Sequence, residues 1–226
     1  MSLKFLAGTA SLFLLVLGVT AADWYTVEWD APQFTALSGD MVIPKLPNPG
    51  GEHSFRINHN LYLNSLCKGT PYVWPALQSN NGVLQAVCDG RSGVWWIGDG
   101  FYGTPSLPWG NGFNVNPGDT VHFSFTSASS GTTWTATLSS NGKSASTTLD
   151  IPGIVCASAI FAAELTSIPF NFGPITYRNV KITATTAASG WCGRILHLGN
   201  YPYTVTGNVA SGNTCNIASI VQNSAS

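Results

Sequence analysis

The Asn141-Gly142 dipeptide lies between two runs of alternating side chains, and this pattern restricts the fold more than any other in the sequence. The runs cover residues 133–138 and 143–149. Asn-Gly between alternating runs is the strongest short-range signal of a β-hairpin, because both residues accept the positive φ of a tight turn. We therefore predict an antiparallel hairpin here.

Similar short runs recur along the chain at intervals of about ten residues, separated by turn signals. Residues 158–165 contain helix-forming Ala, Leu and Glu, but the β context around them favours a strand. Pro32 makes residues 23–34 an edge strand or a loop. The pattern predicts an all-β fold of two packed antiparallel sheets, a β-sandwich or jelly roll. Further strands are predicted at 35–44, 53–63, 71–88 (two strands), 94–102, 120–126 and 174–185.

Residues 1–21 have the pattern of a secretory signal peptide: Lys4, then an apolar run, then Val19-Thr20-Ala21. We expect cleavage after Ala21, an extracellular protein, and a single β-sandwich domain over residues 22–226. No later segment approaches the ~20 apolar residues of a membrane helix, so no membrane association is expected.

Only 8% of the residues are charged, and the formal net charge is −1. This composition argues against nucleic acid and acidic membranes as partners, and we expect a monomer. The histidines and cysteines lack metal-ligand spacing, so neither a metal nor a cofactor is predicted. A polar surface rich in Ser, Thr and Asn keeps its character in acid, which favours a protein that works at low pH.

The sequence contains five cysteines, and an extracellular location permits disulfide bonds. Cys192 and Cys215 bracket one C-terminal hairpin-like segment, and Cys67 and Cys88 bracket the segment with Trp74 and Gln85. We predict these two pairs, which leaves Cys156 as a free thiol.

Two isolated polar residues stand on apolar strands. Gln85 lies between Val83 and Val87 on one face of its predicted strand, and Glu164 follows an apolar run. A buried amide or carboxylate needs a partner. For Gln85 the alternatives are a backbone contact or exposure to water; for Glu164 the alternative is pairing with Arg178 or Lys181.

Several motifs, in order along most of the chain, resemble the fungal glutamic peptidases called eqolisins and their secreted relatives of concanavalin-like jelly-roll fold. They are LSGDMVIP at 37–44, Trp74, GVLQ at 82–85, PGD at 117–119, AE at 163–164 and PFNFG at 169–173.

This resemblance implies an acid endopeptidase. Glu164 would be the general base that activates a water and then the acid toward the leaving amine. Gln85 would orient that water and stabilise the oxyanion, because a neutral amide supplies a donor and an acceptor at any pH. Trp74 would wall the groove, and Trp109, in a Pro/Gly/Trp loop at 103–112, would lie on its rim and bind the polypeptide substrate.

Two alternatives stay open. A second alignment places Ala159 or Ile160 at the glutamate position and predicts the fold without catalysis. The eight tryptophans also suit a catalytically inactive carbohydrate- or cell-wall-binding module, in which Trp74 and Trp109 stack on sugar rings. A polysaccharide hydrolase or lyase is disfavoured, because the sequence pattern places no second carboxylate near Glu164.

Overall fold

The computed structural model describes residues 22–45, 70–128, 131–166 and 171–223. These residues form two antiparallel sheets that pack as a sandwich, which confirms the predicted fold class. The described part of the chain contains no helix long and apolar enough to cross a membrane. The predicted signal peptide, the predicted strand at 53–63 and Cys67 lie outside the described residues.

The first sheet has seven strands in the order β12-β1-β10-β3-β4-β5-β6. Their bounds are β1 Asp23–Asp30, β3 Thr70–Ser79, β4 Gly82–Asp89, β5 Trp95–Gly103, β6 Gly112–Val115, β10 Cys156–Thr166 and β12 Leu196–Leu198.

The second sheet runs in the order β13-β15-β11-β2-β7-β8-β9, and β14 pairs with β15. Its strands are β2 Phe34–Val42, β7 Thr120–Ser127, β8 Thr133–Ser140, β9 Lys143–Asp150, β11 Pro174–Ala184, β13 Tyr203–Thr206, β14 Val209–Ser211 and β15 Thr214–Asn223. One 3-10 turn covers Ala188–Gly190.

The main core lies between the two sheets. Each sheet contributes four tryptophan or phenylalanine side chains that are fully or almost fully buried. Among them are Trp29 and Trp95 of the first sheet and Phe123 and Phe125 of the second. Side chains of a strand alternate between its two faces. The first sheet therefore also has an outer face, and a separate apolar cluster covers part of it. Its buried members are Trp74, Ala76, Val83, Val87, Ile160 and Ala162.

Two local predictions are confirmed. β8 and β9 form the Asn-Gly hairpin, with φ of 48° at Asn141 and 77° at Gly142. The segment 158–165 is part of β10 despite its helix-forming residues, because its alternate side chains fill the main core and the outer cluster.

The prediction for residues 23–34 is wrong. β1 is paired on both sides, with β12 and with β10, so it is neither an edge strand nor a loop. Pro32 lies just after the end of β1 and before β2, where it breaks no ladder hydrogen bond. The sequence analysis did not predict β12, β13, β14 and β15 as individual strands.

The predicted disulfide between Cys192 and Cys215 is confirmed, and it ties the segment after the 3-10 turn to β15. Cys88 and Cys156 are buried, and neither is bonded to another described cysteine. The second predicted pair includes Cys67, so it stays a prediction.

Replacing both Cys192 and Cys215 by alanine should lower the free energy of unfolding by about 3 kcal/mol, because the bond closes a loop in the unfolded chain. The sequence separation of the two cysteines is 23. Denaturant unfolding of the variant and the parent measures the difference, and hydrogen exchange should increase first in β14 and β15. Equal stabilities would contradict the prediction.

Candidate functional site

A cavity of about 1560 Å³ opens on the outer face of the first sheet. All four residues assigned to a site from the sequence line it, namely Trp74, Gln85, Trp109 and Glu164. Six of its lining residues are aromatic. The aromatic lining consists of Trp24, Tyr72, Trp74, Trp96, Tyr102 and Trp109.

Glu164 is half-buried at one side of this cavity, and its partner is Trp74. The indole Nε1 of Trp74 donates a hydrogen bond of 3.0 Å to Glu164 Oε2. Arg178 and Lys181, the alternative partners, lie on β11 in the other sheet. Trp74 is only 1% exposed and packs edge-to-face against Trp24, so it fixes Glu164 from below.

The strand register places Gln85 and Glu164 in different cross-strand rows. We call residues paired side by side across the first sheet a row. The Gln85 row runs through Glu28, Ile160, Ala76, Gln85 and Gly100. On β10 this row therefore contains Ile160, the apolar residue that the alternative alignment places at the glutamate position.

The Glu164 row is four residues further along the strands. It runs through Trp24, Glu164, Tyr72, Asp89, Trp96 and Asn114. Four residues of strand span about 13 Å and two strand spacings about 10 Å, so the Cα atoms of Glu164 and Gln85 lie roughly 16 Å apart. A hydrogen bond to a shared water requires each group to come within about 3 Å of it. The two side chains therefore meet at one water only if both lean toward each other along the sheet, and not if they stand upright on it.

Two glycines make room for Trp96 on this face. A Cβ added to Gly98 would lie 2.0 Å from a ring atom of Trp96, and one added to Gly112 would lie 2.3 Å from the same ring. The indole thus covers the bare backbone of β5 and β6 where other residues would have side chains. It also lines the cavity.

Trp109 has a similar position over Gly100. A Cβ on Gly100 would meet three atoms of the Trp109 ring at 2.7, 2.8 and 3.0 Å. These near-equal distances mean that the ring turns its face to the sheet. Trp109 is 40% exposed, which leaves the rest of the indole on the side of the cavity.

Trp109 belongs to the loop between β5 and β6, and Asp99 anchors this loop. Gly110 N donates a 2.9 Å hydrogen bond to the Asp99 carbonyl oxygen. The Asp99 side chain points into the sandwich, is fully buried, and neither of its oxygens has a hydrogen-bond partner in the described structure. Burial raises the pKa of Asp99.

Sequence reasoning missed a polar cluster around Tyr72. Arg91 binds Asp89 through Nε and Nη2, with the shortest contact at 2.7 Å, and its guanidinium lies 5.5 Å from the Tyr72 ring centre. Burial, followed by the negative charges of Asp89 and Glu164, raises the pKa of Tyr72, which keeps its hydroxyl neutral. Asp89 is thus a second carboxylate in the cavity, and it forms an ion pair with Arg91.

Comparisons with known proteins show the fold. A crystal structure of scytalidoglutamic peptidase with a transition-state analogue inhibitor superposes with a TM-score of 0.55 at 16% sequence identity. The match covers 87% of this chain and 98% of that peptidase. No family model matches the sequence, and no curated protein matches it. The described residues contain no cluster of three potential metal ligands.

Replacing Gly98 by alanine should displace Trp96 and lower the free energy of unfolding by about 1–3 kcal/mol, because the new methyl group overlaps the indole. Gly193→Ala is the control: a Cβ there meets nothing within 4 Å, and its effect should stay within about 0.5 kcal/mol. Denaturant unfolding followed by tryptophan fluorescence measures both. A Gly98→Ala variant as stable as the parent would refute the packing of Trp96.

Replacing Asp99 by asparagine should raise the melting temperature at neutral pH more than in acid. A carboxyl whose folded-state pKa is raised stabilises the protein below its unfolded pKa, about 3.9, and this contribution is lost as the pH rises through the folded pKa. Thermal unfolding across acid to neutral pH measures the effect, with the exposed Asp150→Asn as control. A parallel shift at all pH values would contradict it.

Proposed function

We propose that this protein is an extracellular glycan-binding protein that holds its ligand in the cavity on the outer face of the first sheet. The observation that carries the proposal is the position of Trp96 and Trp109 over bare glycine backbone. Each ring is supported by the sheet on one side and borders the cavity on the other. Flat, apolar sugar faces stack on rings held in this way, and a pre-positioned ring loses little entropy on binding.

The polar residues of the cavity suit a ligand rich in hydroxyl groups. The indole of Trp74 donates a hydrogen bond to Glu164 Oε2, and the other carboxylate oxygen, Oε1, takes no part in that bond. Gln85 is half-buried and offers a neutral donor and acceptor. A hydroxyl both donates and accepts, so it satisfies either group.

Replacing Trp96 or Trp109 by alanine should reduce retention on insoluble polysaccharide by about tenfold or more, which corresponds to about 1.4 kcal/mol per ring. The measurement is depletion of the purified protein from solution by chitin, cellulose and β-1,3-glucan. Val209→Ala is the control, since Val209 is 59% exposed but lies on β14, which pairs with β15 of the other sheet. No retention of the parent on any of these polymers would refute glycan binding.

The second candidate function is peptide hydrolysis by Glu164 and Gln85. The likeness of the fold to that of a glutamic peptidase favours it, as does the presence of both residues in one cavity. A polypeptide would then be the substrate, with Glu164 as base and Gln85 at the oxyanion. The separation of their rows argues against this function, because the two side chains would have to act on one water.

Incubation with a denatured protein substrate from strongly acidic to neutral pH separates the two functions. The glycan proposal expects no cleavage by the parent protein. Cleavage that disappears in both Glu164→Gln and Gln85→Ala, with melting temperatures unchanged, would overturn it in favour of the peptidase. Cleavage that survives both substitutions would point to a contaminating enzyme.

A further inference from the structure

Trp109 and Gly110 lie against two consecutive residues of β5. The Trp109 ring covers Gly100, and Gly110 covers Asp99: a Cβ added to Gly110 would be 2.5 Å from Asp99 Oδ1 and 2.7 Å from the Asp99 carbonyl oxygen. The Gly110 amide donates its hydrogen bond to that same carbonyl oxygen. The contact that holds the loop on the sheet is therefore also the cover over the Asp99 carboxyl group.

Nothing polar compensates for the burial of the Asp99 carboxyl group in the described structure. Its exposed fraction is 0%, and neither oxygen has a hydrogen-bond partner there. The Thr147 hydroxyl oxygen lies beside it, 2.3 Å from a Cβ added to Gly110, and has no hydrogen-bond partner either. Burial of an ionised carboxylate costs much more free energy than burial of the neutral acid. The site therefore favours the neutral acid, and burial raises the pKa of Asp99 accordingly.

Among the described elements packed against Asp99, none turns a charged side chain toward it. The 104–111 loop, β6 and β8 contain no ionisable side chain. On β4, Ala86 is the neighbour of Asp99, and Cys88 faces the same core as a neutral thiol, since burial raises its pKa well above the usual value. The charged residues of β4 and β9 point to the cavity or to solvent, namely Asp89, Lys143 and Asp150.

The loop is the weaker of the two covers over Asp99. β9, the other cover, is paired with β8 over residues 143–150. Residues 105–109 make no backbone hydrogen bond to other described residues, so the loop is held by Gly110 on Asp99, Trp109 on Gly100 and Leu107 on the core. Segments with so few contacts open at the lowest free energy. Opening of this loop would hydrate the Asp99 carboxylate and remove the support of the Trp109 ring.

Resting on the proposed function, we infer that Asp99 is a positioning residue for Trp109 and makes glycan binding dependent on pH. With a neutral Asp99 the loop is docked, and the Trp109 ring stands at the cavity. With an ionised Asp99 the loop opens, and the ring leaves Gly100. Retention on polysaccharide is therefore stronger in acid than at neutral pH.

The sign of this dependence follows from linkage. The carboxyl group of Asp99 is buried when the loop is docked and hydrated when it is open, so its pKa is higher in the docked state. Such a group favours docking in acid, and the preference is lost as the pH rises through the docked-state pKa. A ligand that binds only the docked state loses apparent affinity in proportion to the docked fraction.

The pH profile of retention tests the inference. Depletion of the parent protein by chitin, cellulose or β-1,3-glucan should weaken by about tenfold from acid to neutral pH, the effect of one unit between the docked and open pKa values. Asp99→Asn has the same size and no charge, so its retention should stay at the acid level. Asp150→Asn, at an exposed position on β9, is the control and should keep the parent profile. Titration of the polymer itself would affect all three proteins alike.

A second variant tests docking without changing a charge. Gly110→Ala places a methyl group against Asp99 and Thr147 and should open the loop at every pH. Its retention in acid should fall by about tenfold, to the level of the parent at neutral pH. Retention in acid equal to that of the parent would contradict the docked arrangement.

Hydrogen exchange at the Gly110 amide measures docking without a ligand. Relative to its intrinsic rate at each pH, this amide should lose about tenfold in protection from acid to neutral pH in the parent, and should stay protected in Asp99→Asn. Amides of the β8–β9 hairpin should keep their protection, because the hairpin does not open. Equal protection of Gly110 at all pH values in the parent would overturn the inference.

Two outcomes separate this inference from the proposed function. Retention that is independent of pH, or that changes equally in the parent and in Asp99→Asn, would overturn the role of Asp99 and leave glycan binding intact. Absence of retention at any pH, with Gly110 protection that still depends on Asp99, would overturn glycan binding and leave the pH-dependent docking of the loop.

Discussion

The alternation of side chains across the first sheet is the constraint on which both the core and the cavity depend. Along β4, Leu84, Ala86 and Cys88 enter the core between the sheets, while Val83 and Val87 enter the outer cluster and Gln85 lies between them at the cavity. A slip of one residue would exchange these two sets and place the amide in the core. Burial of the apolar set therefore also fixes the face on which the polar groups appear.

The same alternation explains how much the sequence could reveal. It predicted the two sheets, the β8–β9 hairpin and the strand β10, because each of these depends on a local pattern. It also placed Gln85 on the same face of its strand as Val83 and Val87, which is the face that the structure shows. Local patterns say nothing of the offset between strands, and this offset separates Glu164 from Gln85 by four residues along the sheet. Ile160 therefore takes the place beside Ala76 in the Gln85 row.

Sequence reasoning missed Trp96 because it treated each tryptophan as a core residue. Most tryptophans in a β-sandwich belong to the core, and Trp95 does, so its neighbour Trp96 gave no separate signal. The signal was in the glycines. Gly98 and Gly100 interrupt a strand of large residues at alternate positions, and glycine inside a strand often marks close approach of another group. Here the groups are two indole rings, one of them from a distant loop.

The fold is similar to that of a glutamic peptidase, and what the outer face of the first sheet does depends on its own side chains. A hydrolytic pair needs two polar groups converging on one water, whereas a binding surface needs repeated contacts along a ligand. On the proposed function the cavity supplies the second arrangement, with the Trp96 and Trp109 rings over glycine backbone and with Gln85 and Glu164 as polar groups in the same lining. Function on a shared fold depends on such local placement of side chains.

A crystal structure of the protein with a bound oligosaccharide tests glycan binding most directly. Glycan binding in the cavity predicts sugar rings stacked on Trp96 and Trp109, on the outer face of the first sheet. A saccharide bound outside this cavity would contradict it.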